Sequence, residues 1–168
     1  MNIRKISLVL LLGIFSCHGK NNDKPLPGGD KDLKMNTIRL KDLNGQSIDL
    51  ETYKGKTIFI NFWATWCQPC VEEMPSIERA QNILKDKAVV FLLASRETPE
   101  EIGAFRTRHK YKLNFVLVEN SEELDIPTLP TTFIFNPKGK LVYSEMGMRQ
   151  WDEKNNIDMI QKITNEND

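Results

Sequence analysis

The chain has 168 residues, of which 40% are apolar and 27% charged, a balance that excludes wholesale disorder and suits one globular domain plus an appendage. Lys and Arg total 23, as do Asp and Glu, so no global field supports binding to nucleic acid or to an anionic membrane.

Residues 1–17 read as an export signal. Arg4 and Lys5 precede ISLVLLLGIF, an apolar run long enough for a signal core but too short to span a bilayer as a helix. The ending IFSC, Ile14 to Cys17, is similar to a bacterial lipobox, although Phe15 departs from the small or aliphatic residue usual there. The alternatives are ordinary cleavage or an uncleaved anchor. Lipidation at Cys17 would consume its thiol in a thioether and leave Cys67 and Cys70 as the remaining thiols. Residues 18–34, HGKNNDKPLPGGDKDLK, have the composition of a flexible tether, and residues 35–168 are expected to form a single α/β domain.

Within that domain TIRLKDLNGQSIDL alternates about Asn44-Gly45 and predicts a β-hairpin, with that dipeptide taking the positive backbone angles of a tight turn. TIFINFWA, AVVFLLAS and NFVLVE are nearly continuous apolar runs, which predicts strands covered on both faces. Between them, Val71, Met74, Ile77, Ala80 and Leu84 make one helical stripe beginning near Cys67. TPEEIGAF adds a second helix with Thr98 as cap, Pro99 in the first turn and Glu101 closing a capping box. TTFIFN and LVYSEM flank Pro137-Lys138-Gly139-Lys140 as another hairpin, and Ile157, Ile160 and Ile163 mark a terminal helix. Hairpin, strand, helix, strand, helix, strand, hairpin, helix is the order of an α/β sheet with right-handed crossovers.

The chemistry concentrates in NFWATWCQPC, Asn61 to Cys70. Cysteines three apart on a helix share one face and can close a disulfide, but so short a loop restrains the unfolded chain little, so redox exchange explains the spacing better than stabilisation. A first cysteine at a helix N-terminus sees unpaired N–H groups and the positive dipole end, which lowers its pKa below the free value of about 8.5. Pro69 fits the first turn, where its missing N–H had no partner. Trp66 is either a flat apolar platform for a partner or a core residue. Zinc is disfavoured: a structural site needs four ligands, only His18 and His109 remain as candidates, and His109 suits a helix end.

NFWATWCQPC followed by VEEMP resembles the thioredoxin superfamily, specifically its TlpA/ResA-like membrane-tethered thiol–disulfide oxidoreductases, and the likeness covers most of residues 35–168. It implies a thioredoxin-like fold: a central mixed β-sheet flanked by helices, with an N-terminal β-hairpin and an extra strand–helix insertion around residues 88–110. It implies that Cys67 is the exposed nucleophile and Cys70 the sheltered thiol that resolves the mixed disulfide. Pro130 in LPTTF matches the family's cis-proline, where the backbone of Leu129 could pair with an extended substrate, and Glu73 matches an acid that tunes cysteine deprotonation. Glu72 suits the plainer role of an acid near a helix N-terminus. Two departures stand out. Asn61 occupies the place of the buried Asp of thioredoxins proper and cannot act as a base, and Thr128, after Pro127, stands where a Gly is frequent.

The function so implied is an extracytoplasmic, lipid-anchored oxidoreductase, a monomer with no dissociable cofactor and no metal. It would reduce protein disulfides, as in cytochrome c maturation, with apocytochrome c as one expected client and electrons drawn from a membrane thiol transporter. The alternatives are a disulfide oxidase or isomerase, a peroxidase-like thiol enzyme, or a copper- or haem-handling chaperone without turnover. A peroxidase is disfavoured because its usual cysteine stands alone, whereas Cys67 has a partner three residues away.

Overall fold

A computed structural model describes residues 33–165. The expected export signal, Cys17, His18 and most of the expected tether lie outside the described residues. Among those described, no helix is long and apolar enough to cross a membrane.

The elements follow the expected order: β1 Leu40–Lys41, β2 Ser47–Ile48, β3 Thr57–Phe62, α1 Gln68–Ile83, β4 Val89–Ser95, α2 Pro99–His109, β5 Phe115–Val118, β6 Thr131–Phe135, β7 Leu141–Met146 and α3 Lys154–Asn165. They build one seven-stranded sheet in the order β2-β1-β5-β4-β3-β6-β7. The β3–β4 and β4–β5 pairs are parallel, and all other pairs are antiparallel. The sheet is thus mixed, with the parallel part at its centre, and the segment expected around residues 88–110 supplies β4, a central strand, and α2.

All six residues of β3 are buried, in keeping with its unbroken apolar run. Alternate side chains feed two cores. Phe59, Phe91, Leu93, Phe115 and Ile134 point to one face, where they meet Met74 and Ile77 of α1, Ile102 and Phe105 of α2, and Ile160 of α3. Ile58, Ile60, Phe62, Leu92, Phe133 and Phe135 point to the other, which is covered by Met35, Ile38, Leu50 and Leu124. The expected flanking by helices is therefore one-sided. Strands β3, β4 and β5 add in one direction across the sheet, so two crossovers of the same hand place α1 and α2 on the same face. The second face is closed by the chain entering the domain and by two short 3-10 turns, Met35–Thr37 and Leu50–Tyr53.

The first hairpin forms, but its turn differs from the tight two-residue form. Gly45 alone takes a positive φ, +83°, while the Asp42 carboxylate accepts the N–H groups of Asn44 and Gln46 and the Asp42 carbonyl that of Gly45. The Asp42 side chain holds a longer turn in which Asn44 has no need of the left-handed region. The capping box of α2 is present in both directions between Thr98 and Glu101.

Candidate active site

Strand β3 ends at Phe62 and the chain turns through Trp63–Thr65 into α1, whose N-cap is Cys67. Cys67 and Cys70 are joined in a disulfide with their Cα atoms 5.3 Å apart. The expectation of an exposed Cys67 is corrected: it is 5% exposed, against 0% for Cys70, because Ala64 and the start of α1 pack around it. The difference that matters is access. Cys67 lines an open groove of about 950 Å³ and Cys70 does not. Trp66 is 71% exposed and lines the same groove, which excludes the core reading for its ring.

The groove lies between the Trp66–Pro69 turn, the loop after β4 at Arg96 and Glu97, and the segment Ser121–Leu129. Glu97 fastens two of these walls together. Its carboxylate accepts the Thr65 N–H at 2.6 Å and the Thr65 hydroxyl at 2.6 Å, and also takes the Ser95 hydroxyl at 3.1 Å. The Leu129–Pro130 peptide is cis. Leu129 and Thr128 line the groove, while Pro130 is buried beside it and accepts the Gly147 N–H at its carbonyl, 2.8 Å away. The expected Leu129 backbone surface and the Cys67–Cys70 pair are thus brought to one groove.

Glu73 sits one turn beyond Cys70 on the inner face of α1 and is fully buried. Asn61 Nδ2 donates to its Oε1 at 2.7 Å, and the Arg149 N–H and Trp151 Nε1–H donate to its Oε2 at 3.0 and 3.3 Å. Burial pushes the carboxyl up from 4.5 to about 7, against the pull of those three donors. Desolvation wins, so the group changes charge near neutrality, where it can pass or withhold a proton. Asn61 also donates to Thr132 Oγ1 at 3.0 Å, and its own Oδ1 has no partner. The amide at this position serves as a donor to the acid. Glu72, by contrast, is exposed and accepts from Gln68 Nε2.

Three contributors escaped the sequence reading. Glu97 lies in a loop, and Arg149 and Trp151 follow β7 in the polar stretch GMRQWDEK. A lone tryptophan among charged residues was the available signal, for it is fully buried, edge-on to Phe59 with ring centroids 4.7 Å apart. His109 is exposed at the end of α2 and stacks on Phe105 at 4.2 Å and on Tyr111 at 5.8 Å.

A helix-capping CxxC disulfide on one wall of a groove, a cis-proline segment on another and a buried acid one turn behind define a class. This is a thioredoxin-like protein with its CxxC pair at the mouth of the site. The chain belongs to the AhpC/TSA family, whose pattern matches residues 32–144. It is 36% identical over 108 residues to the thiol-disulfide oxidoreductase ResA of Bacillus subtilis (strain 168), a match that covers 61% of this chain and 60% of ResA. The chain thus spans under two thirds of that relative's length. Among solved structures it is similar to a thiol:disulfide interchange protein from Bacteroides sp., with a TM-score of 0.64, 27% identity, and 77% and 87% of the two chains covered. A thioredoxin family protein of Chlorobium tepidum shares the fold at a TM-score of 0.63 and 18% identity, over 84% of this chain and 97% of that one.

Proposed function

We propose that the protein is an extracytoplasmic reductant of protein disulfides, anchored to a membrane by a lipid on Cys17. The observation that carries the redox reading is the placement of Cys67 on the groove wall with Cys70 sealed behind it. In the reduced protein the Cys67 thiolate attacks one sulfur of a substrate disulfide, and the other substrate sulfur leaves as a thiolate. Cys70 then gives up its proton and attacks Cys67 Sγ, which closes the Cys67–Cys70 disulfide and frees the second substrate thiolate. Two electrons pass to the substrate, and its thiolates take up two protons. An external dithiol must then reduce the pair, a role that suits a membrane thiol transporter.

Glu73 supports the reductant direction. Once ionised, a buried carboxylate one turn from Cys70 opposes a second negative charge there, which disfavours the dithiolate and so favours the disulfide form. Trp66 and the Leu129 backbone offer an apolar platform and a strand-like edge to an extended client segment, and apocytochrome c is one such client. The chemistry requires no dissociable cofactor or metal and works as a monomer.

The test is a Cys70→Ala variant of the full chain, exposed to a protein disulfide after reduction. A mixed disulfide through Cys67 is expected to accumulate, and redox titration of the unaltered protein against a thiol buffer is expected to place it with reducing rather than oxidising dithiols. No adduct with any protein disulfide sinks the exchange mechanism, and an oxidising potential reverses the direction.

A further inference from the structure

The end of the domain opposite the groove is strongly cationic. Strand β3 runs from Thr57 to Phe62, so its far end stands about 20 Å from the turn that carries the disulfide. Three loops and the entering chain meet there. The Gly55 N–H donates to the Pro137 carbonyl, the Thr57 N–H to that of Ala88, and the Met35 N–H to that of Gly139. These bonds join Lys34, Lys54, Lys56, Lys85, Lys87, Lys138 and Lys140 into one surface, beside which, among the described residues, stand the acids Glu51 and Asp86.

All seven lysines are exposed, and none of them forms an ion pair among the described residues, whereas five cations elsewhere do. Four of them, Lys34, Lys54, Lys138 and Lys140, line a single pocket of about 340 Å³ together with Glu51. Lys34 and Lys140 even face each other across an antiparallel bridge, an arrangement that costs stability when like charges are not neutralised from outside. Leu33, the first described residue, lines this pocket beside Lys34. Asn136 Oδ1 accepts the N–H groups of both Lys138 and Lys140, so that turn presents its lysines on a fixed frame.

We propose that this base is a docking surface for an anionic bilayer, with lipid phosphate groups seated among Lys34, Lys54, Lys138 and Lys140. The inference rests on the membrane-anchored reading above and adds an orientation to it. Clustered lysines next to a membrane attachment are drawn to anionic headgroups, and the attraction extends over a Debye length of about 8 Å at physiological ionic strength. Entry of the chain at Lys34 holds this face, rather than the groove, toward the attachment. The groove, lined by Glu97, Glu122 and Asp125 against Arg96, then opens away from the lipid.

The test uses the full chain bound to vesicles of phosphatidylcholine alone or of phosphatidylcholine with phosphatidylglycerol, labelled with an amine-acylating reagent and read residue by residue by mass spectrometry. Labelling of Lys54, Lys138 and Lys140 is expected to fall several-fold on the anionic vesicles alone and to recover in high salt, while Lys154, 83% exposed at the start of α3, stays unchanged. Equal labelling of the base on both vesicles overturns the proposal and leaves these lysines to solvent or to an acidic protein. Protection of Lys154 instead also overturns it. Reduction of a protein disulfide is measured on the same vesicles. Lost turnover with the footprint intact sinks the redox reading alone, and failure to associate with either vesicle sinks the anchor and the docking together.

Discussion

Trp151 donates its indole N–H to Glu73 Oε2 at 3.3 Å across 78 positions of sequence, while the backbone N–H of Arg149 reaches the same oxygen at 3.0 Å. The segment after β7 therefore helps to set the charge of an acid on the active-site helix. Trp151→Phe keeps most of the buried ring and removes one donor to the ionised form. Losing that bond costs the carboxylate about 1 kcal/mol, so the Glu73 midpoint should rise further above about 7 by somewhat less than about one pH unit. The check is the pH dependence of Cys67 alkylation in the reduced protein; an unmoved midpoint would show that the indole bond does not act on the charged form.

Glu73 also ties stability to pH. Its folded pKa, about 7, lies above the ordinary 4.5, so the folded protein holds the proton more tightly than the unfolded chain. The contribution is fully present below about pH 4.5 and is lost as pH rises through about 7, with a size on the order of 3 kcal/mol. Glu73→Gln should abolish that slope. The variant also remains bondable, because Asn61 can turn its unpartnered Oδ1 toward the new amide. Denaturant unfolding at pH 5 and pH 8, with oxidised protein in both, measures the difference.

Glu97 accepts both polar hydrogens of Thr65, two residues before Cys67. Glu97→Ala should leave the buried sheet intact but release that turn, at a cost of about 1–3 kcal/mol for the lost bonds to a charged acceptor. Faster hydrogen exchange at Thr65 and a changed Cys67 alkylation rate are the expected readouts. Exchange at the unaltered rate would mean that the turn is held by Cys67 N–H on the Ala64 carbonyl instead.

Trp66→Ala separates platform from core. A side chain 71% exposed supports little of the fold, so stability should change by less than about 0.5 kcal/mol. Turnover of a protein disulfide should fall while that of a small-molecule disulfide is nearly preserved. An equal fall for both substrates would place the effect on the Cys67 thiolate rather than on client binding.

Much of this was legible because it is local. CxxC spacing, the proline of the first turn, the Thr98 to Glu101 capping box and unbroken apolar strands each follow from neighbours within a few residues, and each appears where expected. An exposed Cys67 was implied by the family resemblance, not by any local pattern around it. Its 5% exposure comes from the way the turn packs against the core. The Asn44-Gly45 turn differed in form because Asp42, two residues earlier, supplied the hydrogen bonds.

The sequence by itself determined the CxxC pair, the helix that presents it and the succession of strands and helices along the chain, since spacing and periodicity act over one or two turns of chain. Only the tertiary structure decided that the Glu73 carboxyl is pushed up to about 7, because burial in the folded core raises it against the pull of three donors, Asn61, Arg149 and Trp151, that folding brings to it. It likewise decided where the balanced charges go. A chain with 23 cations and 23 anions shows no field in composition, yet folding gathers seven lysines at one end of the sheet and the groove acids at the other, because field follows position and not the sum.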